Sequence, residues 1–153
     1  MKDNVILLVE DCAEDASLVQ RAFKKWGISN PVQVVPDGEQ AVDYLAGQGN
    51  FSDRKQFPIP CLALLDLNLP QMSGFEVLEW VRARHDLSNL PIVVLSGTKD
   101  PTHFDQAHKL GANACVVKTL DLAELYELIQ HLNYFSLASD YNNSAVDFTA
   151  EPD

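Results

Sequence analysis

Leu62-Ala63-Leu64-Leu65-Asp66 is four apolar residues followed by a carboxylate. An apolar run of that length reads as a strand buried on both faces, the habit of parallel sheets. The same arrangement recurs along the chain. Val5-Ile6-Leu7-Leu8-Val9 runs into Glu10-Asp11, Pro91-Ile92-Val93-Val94-Leu95 into Ser96, and Ala114 to Val117 into Lys118. Val32 to Val35 supplies one more short strand.

The segments between these runs carry apolar residues at helical spacing. Ala16, Val19, Ala22, Phe23 and Trp26 mark a helix from Ala13 to Trp26 with Gly27 as its stop. Ala41, Val42 and Leu45 mark a short helix after the turn Pro36-Asp37-Gly38. Phe75, Val77, Leu78 and Val81 mark a helix after Gly74, and Pro101 to Leu110 forms another that stops at Gly111. Leu125, Leu128, Ile129 and Leu132 place the last from Leu122 to Tyr134. Strand and helix alternate five times, which implies a parallel sheet covered by helices on both faces. Right-handed crossovers narrow this α/β pattern to a doubly wound sandwich.

The chain of 153 residues fits one domain with its own core. That domain is expected over residues 1–135, with 136–153 as an acidic C-terminal tail, partly disordered or extending the last helix. That tail holds Asp140, Asp147, Glu151 and Asp153 and no Lys or Arg. Gly47 to Pro60 is long for an α/β connection and reads as an extended loop. Net charge is −11, with 11 Lys and Arg against 22 Asp and Glu, which disfavours contact with nucleic-acid phosphates. No apolar run approaches a membrane span and no signal peptide opens the chain, so no membrane association and a cytoplasmic location are expected. Cys12, Cys61 and Cys115 are odd in number and far apart, which argues against a disulfide framework and a zinc site. His85, His103, His108 and His131 are scattered and read as structural or surface residues. Trp26 and Trp80 read as core. Tyr126, Leu128, Leu132 and Phe135 fit either core or a dimer face.

Ligands of open α/β sheets bind outside the carboxyl ends of the strands. Glu10, Asp11, Asp66, Ser96 and Lys118 all fall at that edge. Carboxylates crowded together repel, and a hard divalent cation such as Mg²⁺ relieves the repulsion. A lysine ammonium and a serine hydroxyl beside a carboxylate suit the charge of a phosphoryl group in transfer. A carboxylate can itself be the nucleophile and form an aspartyl-phosphate. Each residue alone has a plainer reading: a helix N-terminal acid pair, a turn Asp, a turn hydroxyl, a solvated Lys. Their meeting at one edge favours the chemical reading.

Val9-Glu10-Asp11, Leu65-Asp66-Leu67-Asn68-Leu69-Pro70 with Met72 and Gly74, Leu95-Ser96-Gly97, Gly111-Ala112 and Val117-Lys118 together resemble the receiver domains of two-component response regulators. The resemblance covers about residues 4 to 134, and the long loop and the Leu-Asn-Leu-Pro stretch are most similar to single-domain regulators of bacterial phytochrome kinases. It implies a flavodoxin-like five-stranded sheet in the order 2-1-3-4-5. It further implies Asp66 as phosphoacceptor and Mg²⁺ held by Glu10, Asp11, Asp66 and the main-chain carbonyl of Asn68. Ser96 and Lys118 would bind the phosphoryl group, the phosphodonor would be a sensor histidine kinase, and no turnover beyond self-phosphorylation and autodephosphorylation is implied. Output would pass by protein contact, with a homodimer possible through the face of helix 4, strand 5 and helix 5.

Two positions depart from the family pattern. Thr119 follows the lysine where a proline is usual, and Cys115 stands where an aromatic switch residue is usual. Two other function classes fit parts of the sequence. A phosphatase of the haloacid-dehalogenase type would need an acid two residues after its nucleophile, where this chain has Asn68. A docking or flavin-binding domain would use the same fold without phosphorylation.

Overall fold

In the computed structural model, residues 4–97, 100–119 and 121–130 are described. Five strands, β1 (Ile6–Val9), β2 (Val32–Val35), β3 (Leu62–Asp66), β4 (Ile92–Ser96) and β5 (Ala114–Val117), alternate with α1 (Ala13–Lys25), α2 (Gly38–Ala46), α3 (Gly74–Ala83), α4 (Pro101–Lys109) and α5 (Ala123–Ile129). All pairings are parallel, and the order is β2-β1-β3-β4-β5. The flavodoxin-like α/β sandwich expected from the sequence is therefore the fold observed. Helix ends differ from the sequence reading by a residue or so at α1 and α4. The expected extension of α5 to Tyr134, and the tail 136–153, lie outside the described residues, as does His131.

The period-two alternation of the strands builds two cores. Leu7, Val9, Ala63, Leu65, Ile92 and Val94 face α2, α3 and α4, where Ala41, Tyr44, Leu45, Val77, Leu78, Val81 and Ala107 meet them. Ile6, Leu8, Leu62, Leu64, Val93, Leu95 and Val116 face α1 and α5, meeting Ala16, Val19, Phe23, Leu125 and Ile129. Each buried Leu or Ile contributes roughly 1.5–3 kcal/mol of transfer free energy, so the central strands dominate the stability of the sheet. Trp80 and Trp26 are only partly buried, packed at the margins of the first and second core respectively. Trp26 also meets Tyr126 of α5, ring centroids 5.0 Å apart.

Helix starts follow their side chains. Asp37 accepts from the Gln40 N–H at 2.8 Å, Asp100 from the Thr102 N–H at 2.9 Å, and Ser73 and Glu76 form a reciprocal capping box. The connection from Gly47 to Pro60 is more ordered than an extended loop. It contains a 3-10 turn at Gly49–Phe51, and Phe51 and Phe57 stack around Tyr44. Arg54 donates to the carbonyls of Tyr44, Leu45 and Phe57 at 2.7–2.8 Å, tying this loop to the end of α2. The orphan carbonyls of a helix C-terminus need such donors.

The site lies where the strand order reverses. The chain leaves β1 for α1 on one face of the sheet and leaves β3 for α3 on the other. The two connections diverge and open a crevice above the carboxyl ends of these neighbouring strands.

Candidate functional site: an acidic crevice at the strand ends

Glu10 follows β1, and Asp66 is the last residue of β3; only 3% of each is exposed. Asp11, beside Glu10, is exposed. One carboxylate oxygen from each of Glu10, Asp11 and Asp66 lies within 4.8 Å of the others. These hard oxygen donors at one point suit a divalent cation such as Mg²⁺.

Two backbone amides orient the buried acids. The Cys12 N–H donates to Glu10 Oε2 at 3.2 Å, and the Asn68 N–H donates to Asp66 Oδ1 at 3.0 Å. Asn68 itself is exposed at the mouth of the crevice. Burial pushes the Glu10 carboxyl up to about 7. The hydrogen bond from Lys118 opposes that rise, and the charge of Asp66 reinforces it. Two close buried carboxylates thus resist being charged together, which is the electrostatic condition that a cation relieves.

Lys118 reaches into the crevice from the end of β5. Its Nζ donates to Glu10 Oε1 at 2.9 Å and to Asp66 Oδ2 at 3.2 Å, and it lies 3.0 Å from Asp15 Oδ2. Burial pulls the ammonium down. The hydrogen bonds to Glu10 and Asp15 and the charges of Asp66 and Glu10 outweigh that, holding it above the ordinary lysine range. Ser96 closes β4 and is 1% exposed. Its carbonyl accepts from the Lys118 N–H at 2.7 Å, which fixes the ends of β4 and β5 side by side. All the sequence-predicted residues of the crevice, Glu10, Asp11, Asp66, Asn68, Ser96 and Lys118, therefore gather at one edge.

Cys115 and Thr119 lie outside this group. Cys115 is half-buried beside α4, with its Sγ 3.9 Å from the Phe104 carbonyl oxygen, and burial pushes its thiol up to about 11. Thr119 turns away to donate to Asp121 Oδ1 at 2.9 Å, and the same oxygen accepts from the Ala123 N–H at 3.2 Å. Glu124 accepts from the Val117 N–H at 2.8 Å and pins the start of α5 to β5. A polar turn, with Leu122 at φ 53°, thus occupies the place where the family pattern has proline. Among the described residues there is no cis peptide bond.

Sequence reasoning missed Asp15. It stands in the first turn of α1, where an acid is favoured by the helix dipole alone. Its ion pair spans 103 residues, and no local pattern signals it.

This crevice and sheet define a response-regulator receiver, and the chain belongs to that family: residues 6–130 match the response regulator receiver domain. The family serves two-component signalling, and the match decides against the haloacid-dehalogenase alternative. The response regulator Rcp1 of a Synechocystis species is 35% identical over 133 residues, covering 87% of this chain and 88% of that protein. The Mn²⁺-bound crystal structure of Rcp1 matches with a TM-score of 0.73, covering 88% of this chain and 94% of that one. The response regulator RPA3017, described in red light signaling of R. palustris, is 33% identical with a TM-score of 0.78, covering 86% and 92% of the two chains. The phosphorylated cyanobacterial phytochrome response regulator RcpA is 32% identical with a TM-score of 0.74, covering 86% and 92%. No described helix is long and apolar enough to cross a membrane.

Proposed function

We propose that Asp66 accepts a phosphoryl group from a histidine kinase and that the chain signals the event by protein–protein contact. The observation that carries this reading is the ammonium of Lys118, held between Glu10, Asp15 and Asp66 at 2.9, 3.0 and 3.2 Å over the carboxylate cluster. A cation fixed at that point can neutralise the oxygens of an arriving phosphoryl group.

Glu10, Asp11, Asp66 and the Asn68 carbonyl would hold Mg²⁺, whose charge, when bound, neutralises phosphoryl oxygens in transfer. The chain's own residues do the rest. The Asn68 N–H holds one oxygen of Asp66, which fixes the carboxylate plane for attack. A carboxylate oxygen of Asp66 forms the new P–O bond. The P–N bond to the donor's imidazole breaks, its electron pair returns to the ring nitrogen, and that nitrogen takes a proton. Lys118 redirects a donor to a phosphoryl oxygen, and the Ser96 hydroxyl supplies a neutral one. Hydrolysis reverses the modification without a further catalytic domain.

The likeness to phytochrome response regulators supports a phytochrome-type kinase as the donor. The acidic surface supports a protein target over nucleic acid. The face of α4, β5 and α5 is the proposed output and dimer surface. Cys115 lies on it where an aromatic switch would stand, so its rearrangement would run through β4 and the chain that follows Ser96.

The test is incubation with acetyl phosphate, or with beryllofluoride, in the presence and absence of Mg²⁺, read by intact mass. A single Mg²⁺-dependent adduct that is absent in Asp66→Asn is expected. No adduct, or one that survives that substitution, overturns the assignment. Partner affinity that is identical with and without the adduct favours a phosphorylation-independent docking domain.

A further inference from the structure

We infer that Asp15 is a positioning residue for phosphoryl transfer, holding the Lys118 ammonium over Asp66 when the other carboxylates are engaged elsewhere. The inference rests on the proposed role of Asp66.

An ammonium has three N–H donors and no acceptor. Lys118 has three carboxylate partners: Glu10 at 2.9 Å, Asp15 at 3.0 Å and Asp66 at 3.2 Å. Two of these change role during phosphorylation. Glu10 belongs to the metal-competent cluster with Asp11 and Asp66. Asp66 becomes an acyl phosphate and loses the charge of its carboxylate. Asp15 belongs to neither set, so it is the carboxylate that can keep hold of Lys118 through the reaction.

The geometry supports a specific contact over a general helix-dipole effect. Lys118 directly follows β5, an edge strand of the sheet, and Asp15 lies in the first turn of α1, so the pair ties together two elements far apart in the chain. The lysine side chain is 14% exposed against 39% for Asp15, which places the ammonium inward and the acid at the rim. A rim acid of that kind leaves Asp66 open to the donor while restricting the swing of a long, flexible side chain. Loss of the contact frees one end of the lysine and adds the ordering of that chain to the barrier.

The measurement compares wild type, Asp15→Ala, Asp15→Asn and Asp15→Glu. Each is followed for the rate of Mg²⁺-dependent labelling by acetyl phosphate, for Mg²⁺ affinity and for the Lys118 side-chain ammonium signal in heteronuclear NMR spectra. Asp15→Ala is expected to slow labelling about threefold to tenfold, the range of a partly exposed charge-assisted contact. Mg²⁺ affinity should change less than about twofold, since Asp15 is outside the metal set. The ammonium signal should broaden or vanish as its protons exchange faster. Asp15→Asn should fall between, and Asp15→Glu should recover part of the rate. Thermal unfolding of each variant identifies a rate loss that is only a folding defect, and a loss that tracks unfolding overturns the inference. Equal labelling rates and an unchanged ammonium signal in Asp15→Ala overturn it as well, with Asp66 still labelled in every variant. Failure to label the wild type overturns the assignment of Asp66 and the inference with it.

Discussion

Gly74, the first residue of α3, lies directly against the backbone of Asp66. A β-carbon on Gly74 would stand 2.6 Å from the Asp66 carbonyl oxygen and 2.8 Å from Leu67 Cα. Both obstacles are main chain, so neither can swing aside. The Gly74 N–H also donates to the Leu67 carbonyl at 3.2 Å, which closes the loop that leaves the proposed phosphoacceptor.

Gly74→Ala is therefore expected to destabilise the fold by about 2–3 kcal/mol, the cost of overpacking a rigid contact. The strain falls on the segment carrying Asp66 and Asn68, so labelling of Asp66 should slow as well. Urea unfolding gives the first quantity and acetyl phosphate kinetics the second. A variant with wild-type stability would show that the α3 terminus yields more easily than this contact implies.

Lys118→Met keeps the length of the side chain and removes its charge. Glu10 and Asp66, both nearly inaccessible, then lose their buried counter-charge, and about 3–5 kcal/mol of stability should go with it near neutral pH without metal. The pH dependence has a definite sign. Glu10 binds its proton more tightly folded than unfolded, with its carboxyl moved from 4.5 to about 7. In metal-free wild type that group makes stability fall as pH rises from about 4.5 to about 7. Lys118, raised by its partners, contributes stability fully present below its unfolded value and lost only in strong alkali. The deficit of Lys118→Met should accordingly shrink as pH falls below about 7, where Glu10 takes up its proton, and excess Mg²⁺ should restore much of it at about pH 8. A deficit that is flat across pH and unmoved by Mg²⁺ would mean that the buried acids are not its cause.

Arg54 is a stability prediction away from the crevice. Its guanidinium serves three carbonyls, at Tyr44, Leu45 and Phe57, and holds the loop under which Phe51 and Phe57 pack on Tyr44. Arg54→Ala should cost about 2–3 kcal/mol, since hydrogen bonds to a charged group are lost and the carbonyls they served remain. Limited proteolysis should cut between Gly47 and Pro60 in the variant before it cuts the wild type there. Unchanged protection of that segment would mean that the aromatic cluster alone holds it.

Most of the fold was legible because it rests on local pattern. The apolar runs ending in Glu10, Asp66 and Ser96 named their strands, and helical spacing named the helices between. The crevice was legible because strand ends in a doubly wound sheet must meet at one edge. Arg54 and Asp15 were illegible for the same reason as each other. Each is a polar residue whose partner is chosen by tertiary packing, and neither sits in a run or spacing that distinguishes it from a solvated charge. The turn at Thr119 was visible only as a departure from the family pattern. Its substitute restraints, Asp121 on the Ala123 N–H and Glu124 on the Val117 N–H, use ordinary capping chemistry that became recognisable once α5 was seen to start at Ala123.

Cys115 gives a prediction that separates its environment from its sequence neighbours. Burial pushes its thiol up to about 11, and Sγ lies against the Phe104 carbonyl beneath α4. The thiolate is the reactive form, so at about pH 8 only on the order of one molecule in a thousand carries it at this position. Alkylation of Cys115 by iodoacetamide should be slow in the folded protein at that pH. It should rise about tenfold for each pH unit up to about 11 and match a free thiol once the chain is unfolded. Peptide mapping after timed alkylation reads this directly. If phosphorylation moves the face of α4 and β5, labelling with beryllofluoride should change the Cys115 rate while leaving its unfolded rate the same. Rapid alkylation at about pH 8 without unfolding would show that α4 opens over β5 often enough to expose the thiol.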